Sequence, residues 1–131
     1  MNNYPLGNFL VQIKNAHLPG KSVIVTPYSK IKEEVARVLV DSGFLATVVV
    51  KKQKEKSFSD LEVGLISKKE KPFWDLKLYS KPGRRYYAKA GEIPYPSTSK
   101  GLVVISTPRG IMRGSQARKQ NLGGEVIALI W

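Results

Sequence analysis

The chain has 131 residues, 42% of them hydrophobic, which is enough to bury a real core in one compact unit or two small lobes and excludes a disordered tail. It contains no cysteine, which excludes disulfides, thiolate metal sites and cysteine nucleophiles, and no apolar run near the roughly 20 residues of a membrane helix. Lys and Arg number 22 against 10 Asp and Glu, a net charge of +12, so the surface attracts polyanions, with nucleic acid and anionic lipid as the candidate classes.

In chain order, Leu6, Phe9, Leu10, Ile13 and Ala16 repeat at helical spacing, with Pro5 at the first helical position and Pro19-Gly20 as the stop. Ser22 to Thr26 reads as a short β-branched strand. Ser29 caps a second helix with Ile31, Val35, Val38 and Leu39 on one face, and Gly43 ends it. Phe44 to Val50 reads as a strand, Lys51 to Ser57 as a charged turn, and Phe58, Leu61, Val63 and Leu65 as a further strand. Lys68 to Pro72 is the best boundary. Phe73 to Tyr79 alternates as a strand, Lys81-Pro82-Gly83 is a tight turn, and Arg85 to Lys89 is a candidate returning strand. Gly91 to Ser99 is a loop rich in Pro and Ser. Gly101 to Ser106 reads as a buried strand and Ser115 to Gln120 as a short helix that Gly123 or Gly124 would end. Val126 to Trp131 is a final strand. The expected fold is α+β in two lobes: an N-terminal α/β lobe over residues 1–66 and a C-terminal, mainly β lobe with one short helix over residues 67–131.

The charge is uneven. Residues 1–66 carry nine basic and six acidic side chains, a net of +3, and residues 67–131 carry thirteen and four, a net of +9. A polyanion is therefore expected to be held more by the second half. The N-terminus lacks a basic region followed by an apolar one, so no secretory signal and no lipidation motif is expected.

Enzymatic chemistry finds little to stand on. His17 is the one histidine, so a zinc site and a His-based general base lack partners. Gly20-Lys21-Ser22 resembles the end of a phosphate loop, but Asn15 stands where its first glycine belongs. The acids are scattered among lysines. The expectation is a chain that is not an enzyme, with no metal, no cofactor and no small-molecule substrate.

Three features suggest RNA. In the first, Arg84 and Arg85 offer planar donors for phosphates, beside Tyr86 and Tyr87. On a strand the two rings point to opposite faces, so one is expected in the core and the other exposed. In the second, an apolar strand runs into Ser106-Thr107-Pro108-Arg109-Gly110, which places hydroxyls at a rigid strand end. In the third, Arg113 to Glu125 holds a short helix with Arg118 and Lys119, then Gly123-Gly124-Glu125. The paired glycines serve close backbone approach or helix capping. Glu125 accepts from a base amino group or pairs with Arg109 or Arg113.

At these residues the chain resembles the universal small-subunit ribosomal protein number eight family in its bacterial form. The resemblance covers about Pro5 to Trp131. It is most specific in Gly101-Leu-Val-Val-Ile-Ser-Thr-Pro-Arg-Gly-Ile-Met, Ala117-Arg118 and Leu122-Gly-Gly-Glu-Val-Ile. Ile13-Lys14-Asn15-Ala16, Pro27, Ser29-Lys30-Ile31-Lys32, Gly43-Phe44 and Ser80-Lys81-Pro82-Gly83 with Arg85 and Tyr87 add weaker support. The resemblance implies a two-lobed protein of the cytoplasmic small ribosomal subunit, or of an organellar one. It implies binding to the central domain of 16S-type rRNA, neighbouring ribosomal proteins as partners, no membrane, and in many bacteria repression of its own operon through a messenger RNA that mimics the ribosomal site. It maps an RNA-reading loop onto Ser106, Thr107 and Pro108, further contacts onto Gly123, Gly124, Glu125 and Tyr87, and basic contacts onto Lys14, Lys30 and Lys32. Departures are Pro108 in place of a serine, Val11-Gln12 in the first helix, Tyr4 where an aspartate cap is common, and Ser99 in place of a glycine. The alternative is a nonspecific basic nucleic-acid-binding protein, which would take duplex DNA and RNA alike.

Overall fold

A computed structural model of the chain describes residues 4–17, 23–52, 59–66, 75–96 and 101–131. By contacts it forms two units, Phe9–Trp74 and Met1–Asn8 with Asp75–Trp131. The boundary expected at Lys68 to Pro72 lies outside the described residues, as do Ser22, the 53–57 part of the charged turn, Phe58 and the Ser97 to Ser99 part of the loop.

The unit Phe9–Trp74 pairs strands β1 (Val23–Pro27), β2 (Thr47–Lys52) and β3 (Ser59–Gly64) in one antiparallel sheet of order β1-β3-β2. Ile24, Leu61 and Val63 from this sheet, Phe9, Leu10 and Ile13 from helix α1 (Pro5–His17), and Val35, Ala36 and Leu39 from helix α2 (Lys30–Asp41) are all buried. The helical spacing of the α1 residues is what sends them to one side. Ser29 Oγ accepts the Lys32 N–H at 3.2 Å and so satisfies an orphan donor, a contact worth about 1 kcal/mol. Ile31, in the first turn, is exposed, so the buried stripe begins at Val35.

Helix α2 ends as its glycine suggests. Gly43 takes φ +84°, its N–H reaches Val40 O at 3.1 Å, and the Phe44 N–H reaches Leu39 O at 2.8 Å. Phe44 and Leu45, expected at the start of the following strand, instead close this helix end over Leu39. Both are buried there, and β2 begins only at Thr47.

The other unit centres on β8 (Gly124–Ile130). Strand β6 (Leu102–Thr107) pairs with it on one edge, and β7 (Gly110–Arg113) pairs with β6. Strands β4 (Leu76–Leu78) and β5 (Tyr87–Ala88) share the opposite edge, β4 against Ala128–Ile130 and β5 against Gly124 and Glu125. Arg85 to Lys89 therefore does not return along β4 as a hairpin. Lys81 and Arg84 exchange two backbone hydrogen bonds of 3.0 Å, which closes a tight excursion, and the chain continues along β8 in its former direction. Buried Ser80 fastens the base of the excursion, donating to Val126 O at 2.8 Å and accepting from the Tyr86 N–H at 3.0 Å.

Val103 and Ile105 of β6, Met112 of β7 and Val126 and Leu129 of β8 form one core layer with Ile93 and with Ala117 of helix α3 (Gly114–Lys119). The β6–β8 register shifts between Val104 and Ile105, which leaves Ile127 as the extra residue of β8. Strand β7 was not separately expected. Its four residues carry no long apolar alternation and are held by pairing to β6. The α+β class, helices with antiparallel sheets and one short helix in the mainly β part, is as the sequence suggests.

Candidate nucleic-acid interface

The β6–β7 hairpin presents Pro108 and Arg109 at its tip, both exposed. Proline has the φ that the second position of a turn needs, and Gly110 takes φ +117°, a value that L side chains rarely adopt. Thr107 Oγ1 donates to Gly110 O at 2.8 Å and accepts from the Arg109 N–H at 3.2 Å. The Thr107 hydroxyl is thus spent inside the turn, and the residue is buried. Ser106 and Thr107 are consecutive on a strand and point to opposite faces, Thr107 with Val103 and Ile105, Ser106 away from them.

The glycines expected to end α3 do not end it. Asn121, at φ 55°, does: its N–H reaches Arg118 O at 3.1 Å and the Leu122 N–H reaches Ala117 O at 2.8 Å. Asparagine tolerates this left-handed backbone, which frees both glycines for packing. A Cβ on Gly123 would sit 2.6 Å from Ala88 O, and one on Gly124 1.9 Å from Ser106 O. Close backbone approach explains both, and capping explains neither.

That approach assembles a row. Tyr87 pairs with Glu125, Glu125 with Ser106 and Ser106 with Ile111, so these side chains lie side by side on one face across β5, β8, β6 and β7. Tyr87 is 71% exposed. Glu125 pairs with Arg85, Nη1 to Oε2 3.3 Å, rather than with Arg109 or Arg113. The Arg85 guanidinium also lies 5.3 Å from the ring centre of buried Tyr4. Burial pushes the Tyr4 hydroxyl up, the Glu125 charge adds to this, and Arg85 opposes it. Tyr86 is not a core residue. It is 41% exposed and meets Tyr79 edge-on with ring centres 5.1 Å apart.

Arg84 is exposed at the end of the 81–84 excursion, and Arg113 is exposed at the end of β7. The register puts Arg113 opposite Val104, two residues from Ser106 and hence on the same face as the row. An open cleft of about 650 Å³ adjoins the row, lined by Tyr87, Lys89, Glu92, Asn121, Gly123 and Gly124. Eleven of the expected site residues thus lie in one unit: Tyr87, Arg84, Arg85, Ser106 to Arg109, Arg113 and Gly123 to Glu125.

The three lysines lie in the other unit. Lys30 is exposed in the first turn of α2. Lys32 is turned inward: Nζ donates to Thr26 Oγ1 at 3.3 Å and to Pro27 O at 3.4 Å and lies 5.9 Å from the centre of the Phe9 ring. Burial lowers its pKa. Lys14 is half-buried on α1. Sequence reasoning gave no site role to Ser80, Tyr4 or Asn121, which position the site without belonging to it. A serine before Lys-Pro-Gly was the available signal for the first. Among the described residues no group of three His, Cys, Asp or Glu side chains could hold a metal, and no helix is long and apolar enough to cross a membrane.

The family model described as Ribosomal protein S8 matches residues 4–131. Relatives named small ribosomal subunit protein uS8 are similar over nearly their whole length. The one from Mycoplasmopsis agalactiae is 39% identical over 97% of this chain and 96% of its own. That from Salinispora arenicola is 35% identical over the same shares, and that from Chlamydia trachomatis serovar L2b is 35% identical over 100% and 98%.

Proposed function

The chain belongs to the ribosomal protein S8 family, and from that premise we propose that it is a structural constituent of the small ribosomal subunit that binds the central domain of 16S-type rRNA. The observation that carries this reading is the Tyr87–Glu125–Ser106 row, with exposed arginines around it. An exposed ring stacks on an unstacked base, while a serine hydroxyl and a carboxylate suit base edges and the ribose 2′-hydroxyl. Arg84, Arg109 and Arg113 supply positive charge for the phosphates, which positions the RNA without reading it. Thr107 and Pro108 act by shaping the hairpin tip, and Gly123 and Gly124 act by letting three backbones close up. Arg85 acts by orienting Glu125. Lys30, with Lys14 and Lys32, adds basic character to the other unit.

The same surface would take a messenger RNA that copies the ribosomal site, which is the basis for operon repression, and the subunit supplies neighbouring ribosomal proteins as further partners. The reading places the chain in the small subunit of a cytoplasmic ribosome and involves no catalytic step.

The test is binding of the full chain to a central-domain rRNA fragment and to a plain RNA duplex at several salt concentrations. A clear preference for the fragment that persists as salt rises is expected. Equal affinity for both, with the same salt slope, would overturn site-specific recognition and leave a nonspecific polyanion binder. Co-sedimentation with small subunits checks the location independently.

A further inference from the structure

Tyr95 is 70% exposed and stands apart from the row. The Arg118 guanidinium carbon lies 3.8 Å from its ring centre. Arg118 Nη2 donates to Ile93 O at 3.1 Å and to Pro94 O at 3.4 Å, and its buried Nε has no hydrogen-bond partner among the described residues. Ile93 and Ala117, beside the two partners, are buried in the core layer, so ring and cation are both anchored. Pro94 and Pro96 flank the tyrosine, fix their own φ and bias Ile93 and Tyr95 toward extended backbone. A ring so held loses little freedom when something stacks on it. Its inner face is covered by the guanidinium and its outer side is open. Because α3 and Ile93 pack on the Val103–Ile105 side of the sheet, this ring is on the side away from Ser106.

We propose that Tyr95 is a stacking platform for an unpaired RNA base, purines before pyrimidines, with Arg118 as the positioning residue beneath it. The inference rests on the RNA-binding reading above. The cation under the ring draws π density inward, which suits an electron-rich, extended ring on the outer face. Lys119, exposed on the same helix, adds positive charge near the phosphates of such a nucleotide. Residues 67–131, with thirteen basic side chains against four acidic, favour RNA over a protein side chain as the occupant. The site is separate from the row, so the chain would grip two RNA segments from two sides of one sheet.

The test measures affinity of the full chain for a transcript of the small-subunit rRNA, comparing wild type with Tyr95→Leu and Tyr95→Phe. Leucine keeps apolar bulk and removes the π face, whereas phenylalanine keeps the face. The expected result is a loss of about 5- to 150-fold for Tyr95→Leu, the range of a base-stacking contact, with Tyr95→Phe within about twofold and an unchanged salt slope. A Tyr95→Leu chain that binds like wild type, while both still prefer rRNA to plain duplex, overturns the platform and leaves the proposed function intact. If that variant also drops out of reconstituted subunits, the ring serves a protein neighbour, which overturns the platform as well. A wild type with no preference for rRNA overturns the proposed function itself.

Discussion

Gly124 lies so close under Ser106 that a Cβ on the glycine would stand 1.9 Å from the serine carbonyl oxygen and 3.1 Å from the Thr107 Cα. The obstacle is backbone on a paired strand, which cannot turn aside as a side chain would. The contact is what keeps Glu125 beside Ser106 in the row.

Gly124→Ala is therefore expected to destabilise the protein by about 1–3 kcal/mol or more, since strands β6 and β8 must part to admit the methyl group. Gly83→Ala is the control. Nothing lies within 4 Å of its added Cβ and its φ is not left-handed, so a gain of roughly 0.4–1 kcal/mol is expected from the stiffer unfolded chain. Urea unfolding of both variants checks the contrast, and equal effects would show that close approach is not the constraint.

Ser80→Ala removes a fully buried hydroxyl that joins Val126 O to the Tyr86 N–H. A loss of about 1–3 kcal/mol is expected, because the buried Val126 carbonyl loses its Ser80 donor and the part-buried Tyr86 N–H loses its acceptor. Hydrogen exchange at the Tyr86 amide should speed up selectively. Unchanged exchange there would mean that the 81–84 excursion is held by its own turn.

Ser106 and Thr107 separate by role. Ser106→Ala should leave unfolding within about 0.5 kcal/mol and weaken the rRNA complex by about 1–3 kcal/mol. Thr107→Val removes the two bonds that close the hairpin tip and should cost about 1 kcal/mol of stability or more. Its effect on RNA should follow from a looser tip and shrink when the RNA is saturating. Paired denaturation and binding measurements decide this, and the reverse pattern would return the reading role to Thr107.

Lys30 and Lys32 are two residues apart on α2, yet only Lys30 is exposed. Lys30→Ala should lower the salt slope of RNA binding by about one unit, and Lys32→Met by distinctly less. Stability adds a pH signature. Burial depresses the folded-state pKa of Lys32 below its unfolded value. The unfolded chain then holds more protons between those two values, so wild-type stability rises with pH through that window and the charge opposes folding below it. Lys32→Met should lack this rise. Unfolding at neutral pH and again near the lysine range checks it, and parallel pH profiles would remove burial as the cause.

Much of the fold was legible because its signals are local. The 3.6-residue spacing of Phe9, Leu10, Ile13 and Ala16, the Ser29 cap and the Gly43 stop need only neighbouring residues to be read. The place of Phe44 and Leu45 was not legible, since an apolar pair before a strand looks the same whether it extends the strand or closes the preceding helix. The Arg85 to Lys89 segment was misplaced for a related reason. A Pro-Gly turn announces a reversal, and only long-range contacts show that the chain resumes its course along β8: the pairing of Tyr87 with Glu125, and the Ser80 hydroxyl bonded to Val126, 46 residues away.

The sequence by itself determined the charge, the α+β character, the family and the identity of the residues gathered in the C-terminal unit. It named Gly123, Gly124, Glu125, Ser106 and Tyr87 without saying how they relate. Tertiary structure decided that the glycines are spacers and Asn121 the helix stop, that Thr107 is a turn former, and that Arg85 holds Glu125. Strand register made those decisions. It joins residues far apart in sequence, and a change of one residue would turn every side chain in the row to the opposite face.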